Sequence, residues 1–227
     1  MRTERLADAA IALHHILTSA NIKYGIFGGF AIGCVGGPRQ SKNVNCLAAT
    51  TKEYALRLLD GREGFVAVQV LKPRDDYVTF LWSDYPERSE TVLVEIFCEQ
   101  FAGAQYSMQN IRCNACPVYG SRRGHDTIKF LDPFYLFKGM LRAAAYRNKP
   151  HDEQDLRYLE SRYFGWIAAG KDTLSLEVVG LALRRYPDLE TLFIRIGIDV
   201  AKAKLAVRGV NPDRAPVLGA VQRGLLG

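Results

Sequence analysis

Two asparagines, Asn43 and Asn45 in "SKNVNC", alternate with Val44 and Cys46. Side chains two apart on a strand leave the same face, so both amides point together. Asparagine is depleted in strands, and a shared face beside a glycine turn reads as the lining of a cleft rather than as strand-edge surface. Each amide presents a carbonyl acceptor and an NH2 donor, suited to a carbonyl or carboxylate group on a ligand. One acid, Glu95, interrupts the apolar run "TVLVEIF" and supplies an acceptor or proton-transfer group. Asn43, Asn45 and Glu95 are therefore the candidate catalytic residues. Gly28-Gly29 separates "KYGIF" from "FAIGCV", as a tight strand-to-helix turn would. Such a turn needs no ligand, but it leaves backbone N–H groups able to bind an anion or a carbonyl oxygen. Phe30, Tyr77, Phe80 and Trp82 are aromatic candidates for a pocket wall, with Arg39 and Lys138 as cationic ones. Arg39 and Lys42 read equally as phosphate contacts or as solvated loop charges.

The elements that must carry these residues are legible in outline. Leu6, Ala9, Ala10, Leu13, Ile16 and Leu17 recur at helical spacing, which predicts a helix over 3–20. A strand at 23–27, a helix after the glycine pair and a strand at 43–48 follow. "TKEYALRLLDG" has a threonine cap and a glycine stop, and so reads as a helix. "FVAVQV" and "YVTFLW" are expected to pair as a hairpin, and "TVLVEIF" forms a further strand. The polar stretch 99–127 reads as loop with a short strand at "CPVY". From "LDPFYLFKGMLRAAAYR" onward the pattern turns helical, with Asp132-Pro133 as cap and first helical residue. The expected organisation is a mixed α/β part over 1–127 and a helical part over 128–227.

Composition narrows the classes. The chain has 227 residues, 48% hydrophobic and 24% charged, the balance of a globular protein. No apolar run reaches the roughly 20 residues that span a bilayer. The first twenty residues fit an amphipathic helix better than a signal peptide, so a cytoplasmic location without membrane attachment is expected. The net charge of +6 is dispersed, with no polybasic block, which argues against a nucleic-acid partner. Of the five cysteines only Cys113 and Cys116 form a C-x-x-C, and no second pair completes a zinc site. No cofactor is called for, and a small-molecule substrate is the expected partner.

The order helix, strand, Gly-Gly, helix, then a strand with alternating polar residues resembles the nucleotidyltransferase fold of the DNA polymerase β superfamily. Phe27-Gly28-Gly29 matches the family's glycine turn. Asn43-Val44-Asn45 occupies the place of its Asp-x-Asp, and Glu95 that of its third carboxylate. "PRQSKNVNC" is similar to the corresponding stretch in uncharacterised fungal members. In "LFKGMLRAAAYRNKPHDEQDLRYL", Arg147, Asp152, Asp155 and Leu156 resemble a later helical motif, although Met140 stands where that motif has lysine. Lys138 lies two residues earlier, about 200° round the helix, and cannot simply replace it.

The resemblance implies an α/β (α+β) class: a nucleotidyltransferase-like mixed sheet flanked by helices, then a helical C-terminal region. It also implies two magnesium ions held between carboxylates and a triphosphate, a reaction that needs hard anionic ligands. With one carboxylate where the family has three, no metal site and no two-metal transfer are expected here. Three readings follow. The fold is reused as a metal-independent enzyme on an organic molecule, catalysing an isomerisation, cyclisation or pericyclic step of Diels–Alder type, as in fungal natural-product biosynthesis. Alternatively it is a non-catalytic pseudo-nucleotidyltransferase that binds a nucleotide or a protein, or a residual single-metal enzyme working through Glu95.

Overall fold

The helical spacing of Leu6 to Leu17 becomes α1 (Thr3–Ser19), in a computed structural model that describes residues 3–38, 40–69, 74–104 and 106–211. Every residue from Arg5 to Leu13 is buried, so α1 is enclosed nearly all round rather than lying on the surface. The expected strands follow as β1 (Tyr24–Phe27), β2 (Asn43–Ala48), β3 (Phe65–Val68), β4 (Tyr77–Trp82) and β5 (Val92–Cys98). Between them lie α2 (Gly28–Cys34), which starts on the glycine pair itself, and α3 (Lys52–Leu59). The Thr51 side chain caps α3 by accepting from the Tyr54 N–H at 3.1 Å. β3 and β4 pair antiparallel as expected; the connection at 70–73 lies outside the described residues.

One stretch departs from expectation. Residues 113–131 form two long strands, β6 (Cys113–Tyr119) and β7 (His125–Leu131), paired antiparallel. The boundary expected at 127 therefore falls inside β7. β6 is a sheet edge with only Val118 fully buried, so it lacks the apolar alternation that marks a strand in sequence. Pro117 is tolerated there because an edge strand need not donate on its outer side. Cys113 and Cys116, three apart on this strand, point to opposite faces and form no thiol pair.

The seven strands form a sheet in the order β3-β4-β5-β2-β1-β7-β6. β2–β5 and β1–β7 are parallel; the other neighbours are antiparallel. After β7 the chain is helical: α4 (Pro133–Tyr146), α5 (Pro150–Gly170), α6 (Leu176–Arg185), α7 (Glu190–Arg195) and α8 (Val200–Ala206). Asp132 caps α4 by accepting from the Tyr135 N–H at 3.0 Å, with Pro133 as first helical residue. α4 packs on α5 and α6 and reaches back to α2, which brings the helical region over the strand ends that carry the asparagines. Among the described residues no helix is long and apolar enough to cross a membrane.

Candidate functional site

Strand register puts one row of side chains across four strands. Phe27 on β1 is the partner of Asn45 on β2, Asn45 of Glu95 on β5, and Glu95 of Thr79 on β4. Partners on neighbouring strands share a face, so Phe27, Asn45 and Glu95 line up on the surface opposite the one where Val44, Cys46 and Val94 are buried. Asn43, two residues before Asn45, shares their face.

The polar groups of this row are bonded to one another. The Asn43 amide donates to Glu95 Oε2 and, at 3.2 Å, to Asn45 Oδ1. The Tyr77 hydroxyl donates to Glu95 Oε1. Ser41 Oγ donates to the Asn43 carbonyl oxygen at 2.9 Å and lies 3.3 Å from its side-chain oxygen, fixing the amide's orientation. Burial, together with the Glu95 hydrogen bond and charge, pushes the Tyr77 phenol well above its ordinary range, so it stays a protonated donor. Both hydrogens of the Asn43 amide are thus engaged, while Asn45, also in the cleft lining, places its amide nitrogen beside Gly28.

Gly28 has φ +72, and a Cβ there would lie 2.6 Å from the Asn45 amide nitrogen. Glycine is needed on both counts. Gly28→Ala is expected to lower unfolding stability by about 1–2 kcal/mol and to displace Asn45. Urea denaturation checks the first effect, and the Asn45 side-chain amide resonance checks the second.

The facing wall comes from α4 and the corner that follows it. A cleft of about 310 Å³ is lined on the sheet side by Phe27, Gly28, Gly29, Asn43, Asn45, Glu95 and Phe97. From the helical side come Leu136, Met140, Arg142, Ala143, Tyr146 and Arg147, and Arg74 closes one end. The Phe27 and Phe97 rings meet edge-on with centroids 5.4 Å apart, and Tyr77 lies 5.0 Å from Phe97. Arg74 sits over both Tyr77 and Phe97, at 5.2 and 5.6 Å, and forks onto Asp76 with bonds of 2.9 and 2.7 Å. Arg147 makes a like fork, 2.8 Å for each bond, onto the fully buried Asp152. That ion pair fixes the α4–α5 corner, which the Tyr186 hydroxyl also holds by accepting from the Lys149 N–H at 2.7 Å.

The sequence candidates divide accordingly. Asn43, Asn45, Glu95, Gly28 and Gly29 come together at the cleft, and Tyr77 joins them through Glu95. Phe80 and Trp82 do not. They lie on the opposite face of β4, fully buried, with Phe65 packed against both. Phe30 is also interior, packed on Phe130 beneath α2. Lys138 is half-buried on α4, one turn before Arg142, and is not part of the lining. Arg39 lies outside the described residues. Arg74, Arg142 and Tyr146 are cleft residues that no strand or glycine motif points to, whereas Phe97, two residues after Glu95 on β5, shares its face by strand alternation. For Arg142 and Tyr146 a signal existed in their spacing of four along a helix already expected.

The metal pair implied by the resemblance does not fit this donor set. Magnesium needs oxygen ligands, preferably anionic, and among the described residues Glu95 is the single carboxylate lining the cleft. The Asn43 NH2 points at that carboxylate, placing N–H donors where a cation would need lone pairs. No group of three or more His, Cys, Asp or Glu side chains able to hold a metal occurs among the described residues.

The strand order, the glycine turn and the helical wall over β2 and β5 define a nucleotidyltransferase-like α/β fold. In comparisons with solved structures the chain is similar to an antigenic nucleotidyltransferase-like protein from Paracoccidioides brasiliensis. That match has TM-score 0.58 and 18% identity, over 84% of this chain and 93% of the other. It is also similar to MenT4, a nucleotidyltransferase toxin from Mycobacterium tuberculosis, with TM-score 0.51 and 14% identity over 97% and 92% of the two chains. Neither protein-family models nor curated proteins match the sequence.

Proposed function

We propose that this nucleotidyltransferase-like protein is a metal-independent enzyme acting on a small organic molecule in the cleft between β2, β5 and α4. The observation that carries the reading is the direct bonding of Asn43 and Tyr77 to Glu95. Donors occupy the carboxylate that the superfamily's chemistry would turn toward cations. Asn45 then offers its NH2 to a carbonyl or carboxylate oxygen of the ligand. Glu95 accepts one bond on each oxygen and retains lone pairs for a ligand hydroxyl or for a proton in transit. Phe27, Phe97, Leu136, Met140 and Tyr146 supply apolar walls that hold a folded conformer.

Fixed donors and enforced shape favour an isomerisation, a cyclisation or a pericyclic closure of Diels–Alder type. In such reactions most of the barrier reduction comes from prearranged geometry and from donors already aimed at the developing charge. Asn43, Asn45 and Glu95 would be the catalytic groups, and Gly28, Gly29 and Tyr77 would shape and orient the site.

Thermal unfolding with ATP, with and without magnesium, tests the absence of nucleotide–metal chemistry. A ligand at 100 times its Kd adds about 2.7 kcal/mol, enough to move Tm visibly. The expected result is no magnesium-dependent rise. A clear rise with ATP and magnesium together would overturn the reading.

A further inference from the structure

We propose that the cleft takes an uncharged molecule with a carbonyl acceptor and an N–H donor on one edge, a lactam, read jointly by Asn45 and Glu95; this rests on the metal-independent reading above. The two residues offer opposite halves of a hydrogen-bond pair. Asn45 spends its side-chain oxygen on the Asn43 amide, while its NH2, beside Gly28 in the cleft lining, has no acceptor among the described residues. Glu95 accepts one bond on each oxygen, from Tyr77 and from Asn43. A carboxylate has about four acceptor sites, so about two remain. Asn45 and Glu95 are direct partners across β2 and β5. Neighbouring strands lie about 4.8 Å apart, a gap that one planar C(=O)–N–H group bridges with a hydrogen bond to each side.

Charge selects the same class. Arg74 and Arg147 each commit two N–H groups to a carboxylate that is nearly or fully buried, Asp76 and Asp152. Arg142 stacks over the Tyr146 ring at 5.2 Å and is itself engaged within the protein. Among the described residues the lining therefore holds no spare cation for a ligand acid. An acid bound at Asn45 would also lie against Glu95, and two like charges in a half-enclosed site repel. A ligand cation drawn to Glu95 would instead share the cleft with three guanidinium groups. An uncharged ligand avoids both penalties. Its body is apolar and flat, because the Phe27 and Phe97 rings meet edge-on at 5.4 Å on the sheet side and Leu136 and Met140 face them from α4.

Isothermal titration of the whole protein with carbostyril, N-methylcarbostyril and naphthoate tests this, using wild type, Asn45→Ala and Glu95→Gln. Carbostyril carries the lactam edge, its N-methyl form lacks the donor, and naphthoate puts an acid on a bicyclic body of like size. Carbostyril is expected to bind about tenfold or more tighter than either. Asn45→Ala should weaken carbostyril about tenfold, and Glu95→Gln should narrow its lead over naphthoate. Unchanged circular dichroism and Tm establish that the variants are folded; if one is not, the wild-type ranking alone decides. Equal binding of carbostyril and its N-methyl form, equal or tighter binding of naphthoate, or no carbostyril binding at millimolar concentration each overturns the inference. So does carbostyril affinity that survives Asn45→Ala, or a naphthoate gap that Glu95→Gln leaves unmoved. A magnesium-dependent response to ATP instead overturns the reading on which it rests.

Discussion

Replacing both asparagines, Asn43→Asp together with Asn45→Asp, is expected to make the stability of this protein depend on divalent cations. The exchange removes the Asn43 amide bonds to Glu95 and Asn45 and puts two carboxylates beside a third. Asn45 and Glu95 are direct partners across β2 and β5, so the new charges cannot separate without breaking the strands. Like charges at about 4 Å cost as much as ~4 kcal/mol at an effective dielectric constant of 20. Part of that is relieved when one carboxyl retains its proton. Without metal the double variant should therefore melt well below wild type, most severely above neutral pH. Manganese or magnesium should raise its Tm in a concentration-dependent way, by mass action on the folded state. Calorimetric titration with manganese gives the affinity directly. If the double variant gains no metal binding, these three positions are not the counterparts of a nucleotidyltransferase carboxylate triad.

A second large effect is expected at residues that do not line the cleft. Asp8 on α1 is fully buried and is surrounded by donors. Its Oδ1 accepts from the Arg122 and Arg123 backbone N–H groups at 3.0 and 2.8 Å. Its Oδ2 accepts from Ser121 Oγ at 2.7 Å and from Arg5 Nη1 at 3.3 Å. Arg5 is buried as well, held by Asp84 at 2.7 Å and packed between the Trp82 and Tyr85 rings at 4.7 and 4.9 Å. One carboxylate thus anchors the β6–β7 turn to the first helix. The fit is tight: a Cβ on Gly120 would lie 2.1 Å from Asp8 Oδ1.

Asp8→Ala should cost about 3–5 kcal/mol, because it strands buried donors and removes one counter-charge of Arg5. That is a large share of the roughly 5–15 kcal/mol that holds a domain together. Burial alone would push the Asp8 carboxyl upward, but the bonds from Ser121, Arg123 and Arg122 and the Arg5 charge outweigh it and hold the pKa below the ordinary 3.8. A depressed carboxylate contributes fully above its unfolded value and loses that contribution as pH falls through the folded one. Asp8→Asn should therefore lose less stability relative to wild type at acid pH than at pH 7. Urea midpoints across the acid limb measure this, and a constant difference between the two proteins at every pH would refute it.

How much of this was legible beforehand varied with the physics of each element. Caps are local, and Thr51 and Asp132 declare α3 and α4 from sequence. Asn43, Asn45 and Glu95 were readable because strand alternation and the glycine turn are short-range patterns, and the parallel pairing of β2 with β5 brings them together. The β6–β7 hairpin was not, since an edge strand with one buried side chain has no apolar period to display. Period-two parity separates Tyr77 from Phe80 and Trp82 without any coordinates: residues three or five apart on a strand face opposite ways. An aromatic residue near a candidate site was thus a weaker guide than its position in the strand. The contribution of α4 was least readable, because which face of a helix meets a sheet is decided by tertiary packing.

In the enzyme proposed above, chemistry and container come from different parts of the chain. The amides, the acid and the phenol sit on strands whose other face is the protein's interior, so changing that scaffold threatens folding. Met140, Ala143 and Tyr146 sit on one flank of a helix laid across the opening. That flank can be rewritten residue by residue while the strand row stays as it is. Descendants of such a protein would diverge in what they accept faster than in what they do to it.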